Sequence, residues 1–298
     1  MDEEMKLPAN ISRPGDRASS KAMSLAVSLI PPLFMSALRA ARNRTGNGSK
    51  QEWEYISDNE VSADGWNVEA VARAQSEKWA SFREAIEGTK PLGIAHEAAP
   101  PYKQNPTAHN LVMSFGYVLG RTLQGRVGIS VLDWGGGLGH YYLLAKALYP
   151  GASLEYACKE VPVLARKGRS LLHEVTFIEE DGEALGRSYD LVLASGSLHY
   201  EPSWQDLLGN LARASRNYLY VTRLPIVSGV PSFRILQRAH RYGYGTEYIG
   251  WALNRSEFLD VAERAGVTLV REFLVNERPR IPNAPEACDY GGFLFRRS

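Results

Sequence analysis

A group of glycines beside an acidic residue, near the middle of the chain, is the part of the sequence best suited to chemistry. Residues 131–142 read Val-Leu-Asp-Trp-Gly-Gly-Gly-Leu-Gly-His-Tyr-Tyr, with an apolar stretch before them and an apolar helical pattern after them. This order predicts a strand, a tight turn and a helix. Glycine suits such a turn because it adopts positive φ angles and, without a Cβ, lets the backbone lie against a ligand. We therefore expect a nucleotide-type cofactor at this turn.

The residues around the glycines indicate which cofactor this is. A dinucleotide fingerprint would need glycine or alanine at position 140, where the chain has His140. Asp133 comes two residues before the first glycine, and its carboxylate would repel a pyrophosphate but attract a cation. A nicotinamide oxidoreductase is thus the disfavoured alternative, and a tight turn without any ligand is the other.

The spacing Asp133-x-Gly135-x-Gly137-x-Gly139 resembles the glycine-rich turn of class I S-adenosylmethionine-dependent methyltransferases. In that family the acidic residue faces the methionine end of the cofactor. The resemblance implies S-adenosyl-L-methionine as the cofactor and methyl transfer as the reaction.

Further segments resemble a narrower group, the methyltransferases encoded with surface-polysaccharide or natural-product genes. They are residues 30–32, 132–136, 160–162, 194–200 and 222–225. The similarity covers most of residues 30–298 and implies little about the substrate. Where that group often has a glutamine, this chain has His199, so no shared catalytic role is transferred to it.

Three more polar residues are predicted to face the cofactor because each lies where a strand ends. Ligands of open parallel sheets bind at the carboxyl ends of the strands. Glu160 follows the second strand, and its carboxylate can accept hydrogen bonds from both ribose hydroxyls. Asp181 follows the third strand, where the family often binds the adenine amino group, and Ser195 ends the fourth strand beside the glycine turn. Solvated surface carboxylates are the alternative for Glu160 and Asp181.

Methyl transfer to a hydroxyl requires alignment and a base that removes a proton. His199, directly after the fourth strand, is the first candidate, and as the base it would make the rate rise with pH near 6.5. A structural or substrate-orienting role is its alternative. Tyr200 and His240 are the second candidates, and we expect the aromatic insert 225–253 and residues 53–102 to form the acceptor pocket.

The elements that position these residues predict an α/β fold. We expect a Rossmann-like, seven-stranded, mostly parallel sheet that ends in an antiparallel strand pair, together with an N-terminal helical appendage. Three regions are predicted. Residues 1–50 are a mobile tail, an apolar helical segment and a linker; residues 51–126 are a helical appendage or lid; residues 127–298 are the domain that binds S-adenosylmethionine.

Composition limits the partners. The formal net charge of +1 argues against nucleic acid as a partner. Two distant cysteines without metal-ligand spacing predict neither a disulfide framework nor a metal site, and a reducing cytoplasm fits them best. Pro31 and Pro32 interrupt the apolar residues 23–41, so a spanning helix and a signal peptide are disfavoured. We expect that segment to dock on its own domain or on a second subunit, or to contact a membrane peripherally.

Together these observations predict O-methylation of a small-molecule, natural-product or glycan acceptor. An N-methyltransferase and a non-catalytic protein that binds S-adenosylmethionine are the alternatives.

Overall fold

The computed structural model of the protein describes residues 51–57 and 62–298. The predicted tail, the apolar segment 23–41 and the linker of residues 1–50 lie outside the described residues.

The described chain contains ten strands in one connected sheet. They are β1 (Trp53–Ile56), β2 (Gly128–Trp134), β3 (Ser153–Lys159), β4 (Val175–Ile178), β5 (Tyr189–Ser195), β6 (Ser215–Val227), β7 (Phe233–Arg238), β8 (Glu247–Asn254), β9 (Val267–Leu274) and β10 (Asp289–Arg297).

Seven of these strands form the predicted sheet, in the order β4-β3-β2-β5-β6-β10-β9. The first five are parallel to one another, whereas β10 runs antiparallel to both β6 and β9. The prediction of a Rossmann-like α/β fold with an antiparallel terminal pair is confirmed.

The other three strands extend the sheet beyond the prediction. Strand β7 pairs antiparallel with β1 and β8, and β8 joins β6 through two parallel pairs, Ile226 with Leu253 and Val227 with Asn254. The appendage, predicted as helical, therefore starts with a strand, and the aromatic insert contains two. Each of these strands is short, and the pairing that stabilises β1 comes from a segment about 180 residues later.

The same part of the chain contains seven α-helices. They are α1 (Glu69–Ile86), α2 (Pro106–Leu123), α3 (His140–Leu148), α4 (Pro162–Leu171), α5 (Asp181–Leu185), α6 (Trp204–Ala214) and α7 (Arg255–Arg264). Asn254 caps the last helix, since its side chain accepts from the Glu257 N–H at 3.1 Å. Within residues 51–57 and 62–298, none of these helices has both the length and the apolar character needed to cross a membrane.

Hydrophobic cores cover both faces of the parallel strands. Val131 and Leu193 pack on one face with residues of α1 to α4, and Leu132 and Val192 pack on the other with Trp204. Burial of each such side chain contributes roughly 1.5–3 kcal/mol. Because both faces are covered, the carboxyl edge of the sheet is left for a ligand.

Candidate active site

The carboxyl ends of β2, β3, β5 and β6 border a cavity of about 290 Å³, which we call the first cavity. Most of the residues predicted for the site line it. They are Asp133, Gly135, Gly137, Glu160, Asp181, Ser195, His199 and Tyr200. Two predicted residues, Gly139 and His240, are not among its lining residues.

The glycine turn has the conformation that its sequence predicts. Gly135, Gly137 and Gly139 have φ angles of 72°, 62° and 89°, and residues with a Cβ rarely adopt such positive angles. A Cβ on Gly135 would also lie 2.5 Å from the Cβ of Ser197. Gly139 serves the fold instead of the cavity, since it is the residue before the first turn of α3.

Asp133 is the most unusual acid of the site. Its side chain is 0% exposed, and Tyr156 donates its hydroxyl to Oδ2 at 2.9 Å. The other oxygen, Oδ1, is buried without a partner. Burial, opposed by the Tyr156 hydrogen bond and aided by the nearby Glu160 charge, raises the pKa of Asp133 to about 7. A cationic ligand group would hold this carboxylate in its charged form.

Glu160 ties the second strand to the glycine turn. Its Oε2 accepts from the Gly137 N–H and its Oε1 from the Val161 N–H, each at 2.8 Å. Burial raises the pKa of Glu160, against the effect of these hydrogen bonds. Each carboxylate oxygen can accept a further hydrogen bond, so the group remains available to a ligand that lies against the turn.

Asp181 lies at the edge of the cavity, in a setting that the sequence did not indicate. Its side chain is 63% exposed, and its Oδ1 lies 2.5 Å from Lys159 Nζ. The same ammonium group lies 5.0 Å from the ring centroid of Trp134. A ligand at this end of the cavity would meet Asp181 already paired with a lysine.

Ser195 reaches the cavity together with a residue of α3. The Ser195 and Tyr141 hydroxyls are 2.8 Å apart, and burial raises the pKa of Tyr141 to about 12. Ser195 therefore has a neutral hydrogen-bonding partner at physiological pH.

His199 is buried, with 1% of its surface exposed, and neither ring nitrogen has a partner. Burial, and then the charge of Arg223, lower the pKa of His199 to about 3. The ring is thus neutral at physiological pH, and the titration near 6.5 that the sequence suggested does not match this environment. Tyr200, next to it, donates its hydroxyl to Gln237 Oε1 at 2.6 Å.

His240 does not lie where the sequence-based hypothesis needs it. Its side chain is 46% exposed, and its Nε2 lies 3.9 Å from Glu247 Oε1. The short 3₁₀ helix Ala239–Tyr242 turns Ala239 and Tyr242 toward the cavity instead. A catalytic part for His240 is therefore not favoured by this geometry.

Glu97 and Arg223 form an ion pair at the cavity, and neither was among the individual residues predicted for the site. Arg223 donates from Nη1 to Glu97 Oε1 at 2.5 Å. Although burial acts to raise the pKa of Glu97, Arg223 and the adjacent His96 hold it well below its usual range. Residues 222–225 belonged to the resemblance but suggested no function. Glu97 lies within residues 53–102, which were predicted to contribute to the acceptor pocket without a role for any single residue. The adjacent pair His96-Glu97 was a signal for such a role.

Aromatic rings from the appendage and the insert meet beside the cavity. Trp66 stacks on Tyr248 with ring centroids 3.9 Å apart and meets Tyr200 edge-on at 5.3 Å. Tyr244 lies 6.1 Å from Trp66 and lines the first cavity. The two regions predicted to form an acceptor pocket are thus in contact.

Comparisons with known proteins add two solved structures of modest similarity. One is magnesium protoporphyrin IX methyltransferase from Synechocystis PCC 6803 with bound S-adenosylmethionine, at 14% identity and TM-score 0.45, covering 79% of this chain and 100% of that chain. The other is the Burkholderia thailandensis 1,6-didemethyltoxoflavin-N1-methyltransferase, at 16% identity and TM-score 0.45, covering 85% of this chain and 98% of that chain.

No family model matches the sequence, and no curated protein does either. Structural similarity at this level identifies neither the activity nor the substrate of this chain, so the function is inferred from the site itself.

Proposed function

We propose that the protein is an S-adenosylmethionine-dependent methyltransferase. The observation that carries this proposal is the buried Asp133 carboxylate at the glycine turn, whose Oδ1 lacks a partner and whose residue lines the first cavity. An uncompensated buried carboxyl oxygen is costly. A cationic ligand group would remove that cost, and S-adenosylmethionine carries both an ammonium and a sulfonium group.

The residues around the turn fit the rest of the cofactor. A Cβ at Gly136 would lie 2.3 Å from Asp133 Oδ2, and one at Gly137 would lie 3.1 Å from Gln75 Oε1, so the turn can lie this close to both polar side chains only with glycine at these positions. In the proposal Glu160 accepts from the ribose hydroxyls, Asp181 lies at the adenine end, and Ser195 contributes a hydroxyl near the turn. The bound cofactor supplies a methyl group on a positively charged sulfur.

We further propose that the acceptor is a small molecule, a natural product or a glycan among them, and that it is methylated on oxygen. The aromatic residues Trp66 and Tyr244 beside the cavity support a small acceptor, because such rings bind apolar and sugar surfaces. His199 is proposed to orient the acceptor. Its imidazole is neutral and its nitrogens are unpartnered, but a base with a pKa of about 3 accepts protons poorly at neutral pH.

Calorimetry with S-adenosylhomocysteine and, separately, NAD tests the cofactor. Binding of S-adenosylhomocysteine that Asp133→Asn weakens, with no binding of NAD, is the expected result. Binding of NAD alone would contradict the proposal and would support a nicotinamide oxidoreductase instead.

Methyl transfer is tested by incubating the protein with S-adenosylmethionine and a panel of phenols, alkyl glycosides and matched amines, and by mass spectrometry for the gain of one CH₂. Binding of the cofactor without any gain in mass would leave a non-catalytic binding protein. In the O-methylation proposal His199→Ala raises the KM for the acceptor more than it lowers kcat.

A further inference from the structure

A second histidine, His96, lies at the first cavity on the segment between α1 and α2. Its Nε2 is 3.4 Å from Oε1 of the adjacent Glu97, and its ring stacks on that of His140 with centroids 4.2 Å apart. His140 directly follows the glycine turn as the first residue of α3. His96 is thus in contact with the residue that directly follows the glycine turn of the proposed cofactor site.

His96 and Glu97 also border a second cavity, of about 310 Å³. Arg223 is shared between the two cavities as well. The second cavity contains no glycine turn, and much of its wall is apolar, formed by Ile94, Ala98, Leu111, Val112 and Leu144. His96, Glu97 and Arg223 thus lie where a ligand in the first cavity would meet a ligand in the second.

The two histidines of the site differ in access. The His96 side chain is 24% exposed, whereas His199 is 1% exposed with both nitrogens enclosed in protein. A general base must come within hydrogen-bonding distance of the proton it removes. His96, the more exposed of the two rings, can meet this requirement with less rearrangement of the surrounding protein than His199.

Glu97 is held in place by a distant residue. Arg223 Nη1 lies 2.5 Å from the oxygen that faces His96. Thr222 and Arg223 oppose the single residue Gly292 in a bulge of β6, and Arg223 has a φ of 52°. Bulges of this kind redirect side chains near functional sites, and an unfavourable backbone angle persists only where surrounding contacts maintain it.

The charges around His96 favour its neutral form. Burial lowers the pKa of His96, Glu97 on its own segment raises it, and Arg223 from β6 and Lys78 from α1 lower it further. Burial also keeps the stacked His140 of α3 neutral, since the pKa of His140 is well below its usual value. A neutral imidazole is the form that accepts a proton, and the adjacent carboxylate stabilises the imidazolium that results.

We propose that His96 is the general base of the methyl transfer, with Glu97 and Arg223 as its positioning residues, and that the acceptor is an alcohol or phenol whose apolar body occupies the second cavity. This inference rests on the proposed function. The acceptor oxygen forms its bond to the methyl carbon as the carbon–sulfur bond breaks, and the electron pair of that bond stays on sulfur, which becomes neutral. The hydroxyl proton passes to His96, which returns it to water after the product leaves.

Matched acceptors test the base directly. His96→Ala is assayed near pH 7 with phenol and aniline, and with octyl glucoside and 4-octylaniline, at saturating S-adenosylmethionine; both anilines are neutral at this pH. Because only the hydroxyl needs a proton removed, kcat should fall about 10²–10⁴-fold for the hydroxyl acceptors and less than about tenfold for the amines. His173→Ala, which alters an exposed histidine after α4, is the control and should match the wild type.

A second measurement does not depend on turnover. In protein saturated with S-adenosylhomocysteine, the NMR titration of the His96 ring should give a pKa below the ordinary 6.5. Glu97→Gln should lower it further, because the carboxylate that favours the imidazolium is removed. The acid limb of the kcat profile should move to lower pH by the same amount, since the rate falls only where His96 is protonated.

The outcomes separate this inference from the proposed function. If the wild type methylates a hydroxyl acceptor and His96→Ala does so at a rate within threefold of the wild type, His96 is not the base. The proposed methyltransferase activity is then unaffected. A titration unchanged by Glu97→Gln overturns the positioning role. If the wild type binds S-adenosylhomocysteine but methylates none of the four acceptors, the inference falls together with the proposed activity. Unchanged affinity for S-adenosylhomocysteine in His96→Ala shows that the variant is folded.

Discussion

The two sides of the cavity are constructed differently. On the cofactor side, Asp133, Gly135, Gly137 and Glu160 lie within 28 residues of one another, at the ends of two adjacent parallel strands or directly after them. On the acceptor side, Glu97 and Arg223 are 126 residues apart in sequence, and Tyr244 comes from a third segment. One side depends on local backbone geometry, and the other depends on long-range pairing of side chains.

This difference has an energetic consequence. The glycine turn is fixed by strands whose hydrogen bonds and buried faces belong to the sheet as a whole, so a changed side chain there should affect ligand binding more than folding. The acceptor side is held by a mostly buried ion pair, and loss of one partner leaves the other as an uncompensated charge. The same substitution strategy should thus give stability effects on one side and affinity effects on the other.

The largest effect is expected at the ion pair. Arg223→Met should lower the free energy of unfolding by roughly 3 kcal/mol, because Glu97 keeps its charge without a partner. The double variant Arg223→Met/Glu97→Gln should regain most of that loss. Urea unfolding measures both. A double variant no more stable than the single one would show that the arginine stabilises by packing alone.

Next in size are the acids of the cofactor side. Asp133→Asn and Glu160→Ala should each lower the affinity for S-adenosylhomocysteine about tenfold or more, since hydrogen bonds that involve a charged group contribute roughly 1.5–3 kcal/mol. Glu155→Ala is the matched control, because Glu155 is an exposed residue of β3, the strand that Glu160 follows. Unchanged calorimetric affinity in a folded Glu160→Ala protein would remove Glu160 from the site.

A smaller, pH-dependent effect distinguishes the two acids. The pKa of Asp133 is about 7 in the free protein, so its carboxyl is largely protonated below that pH and must lose the proton to bind an ammonium group. Affinity for S-adenosylhomocysteine should rise between pH 5.5 and 7, by at most about tenfold per unit, and level off above 7.

The sign for folding is opposite. A carboxyl whose pKa is raised by folding contributes stability at low pH, and this contribution is lost as pH rises through about 7. Asp133→Asn should weaken the pH dependence of both the affinity and the stability. Glu160→Gln should retain the part of each pH dependence that comes from the titration of Asp133. Affinity that falls as the pH rises toward 7 would contradict the role of Asp133.

The smallest effect is expected in the aromatic wall. Tyr244→Leu should raise the KM for the acceptor about threefold to tenfold, since one aromatic contact contributes roughly 0.5–1.5 kcal/mol, and should spare cofactor binding. Tyr248→Leu should affect KM less, because Tyr248 does not line the first cavity. Thermal melting of both variants measures the cost in packing. Equal losses of acceptor and cofactor binding would assign both rings to packing.

Much of the cofactor side could be predicted from sequence because its signals are local. Asp133 and the glycines occupy fixed positions in a strand, turn and helix, and the apolar runs around them predict strands buried on both faces. The acid after β3 and the serine at the end of β5 reach the cavity because parallel strands end at a common edge. The antiparallel terminal pair was likewise predicted, from two strand patterns after the last helix.

Tertiary structure alone decided the acceptor side. Strand β1 exists because β7 supplies its hydrogen bonds, and the short sequence Trp-Glu-Tyr-Ile does not specify that partner. The sequence ranked His199 ahead of His240 by its place after the fourth strand, but it did not indicate that His199 is buried with a pKa of about 3 or that His240 is nearly half exposed. Burial and charge pairing are properties of residues that meet only after folding, so spacing along the chain carries no record of them. The partnership of Arg223 with Glu97, and the access of His96 to both cavities, are decided by the same long-range contacts.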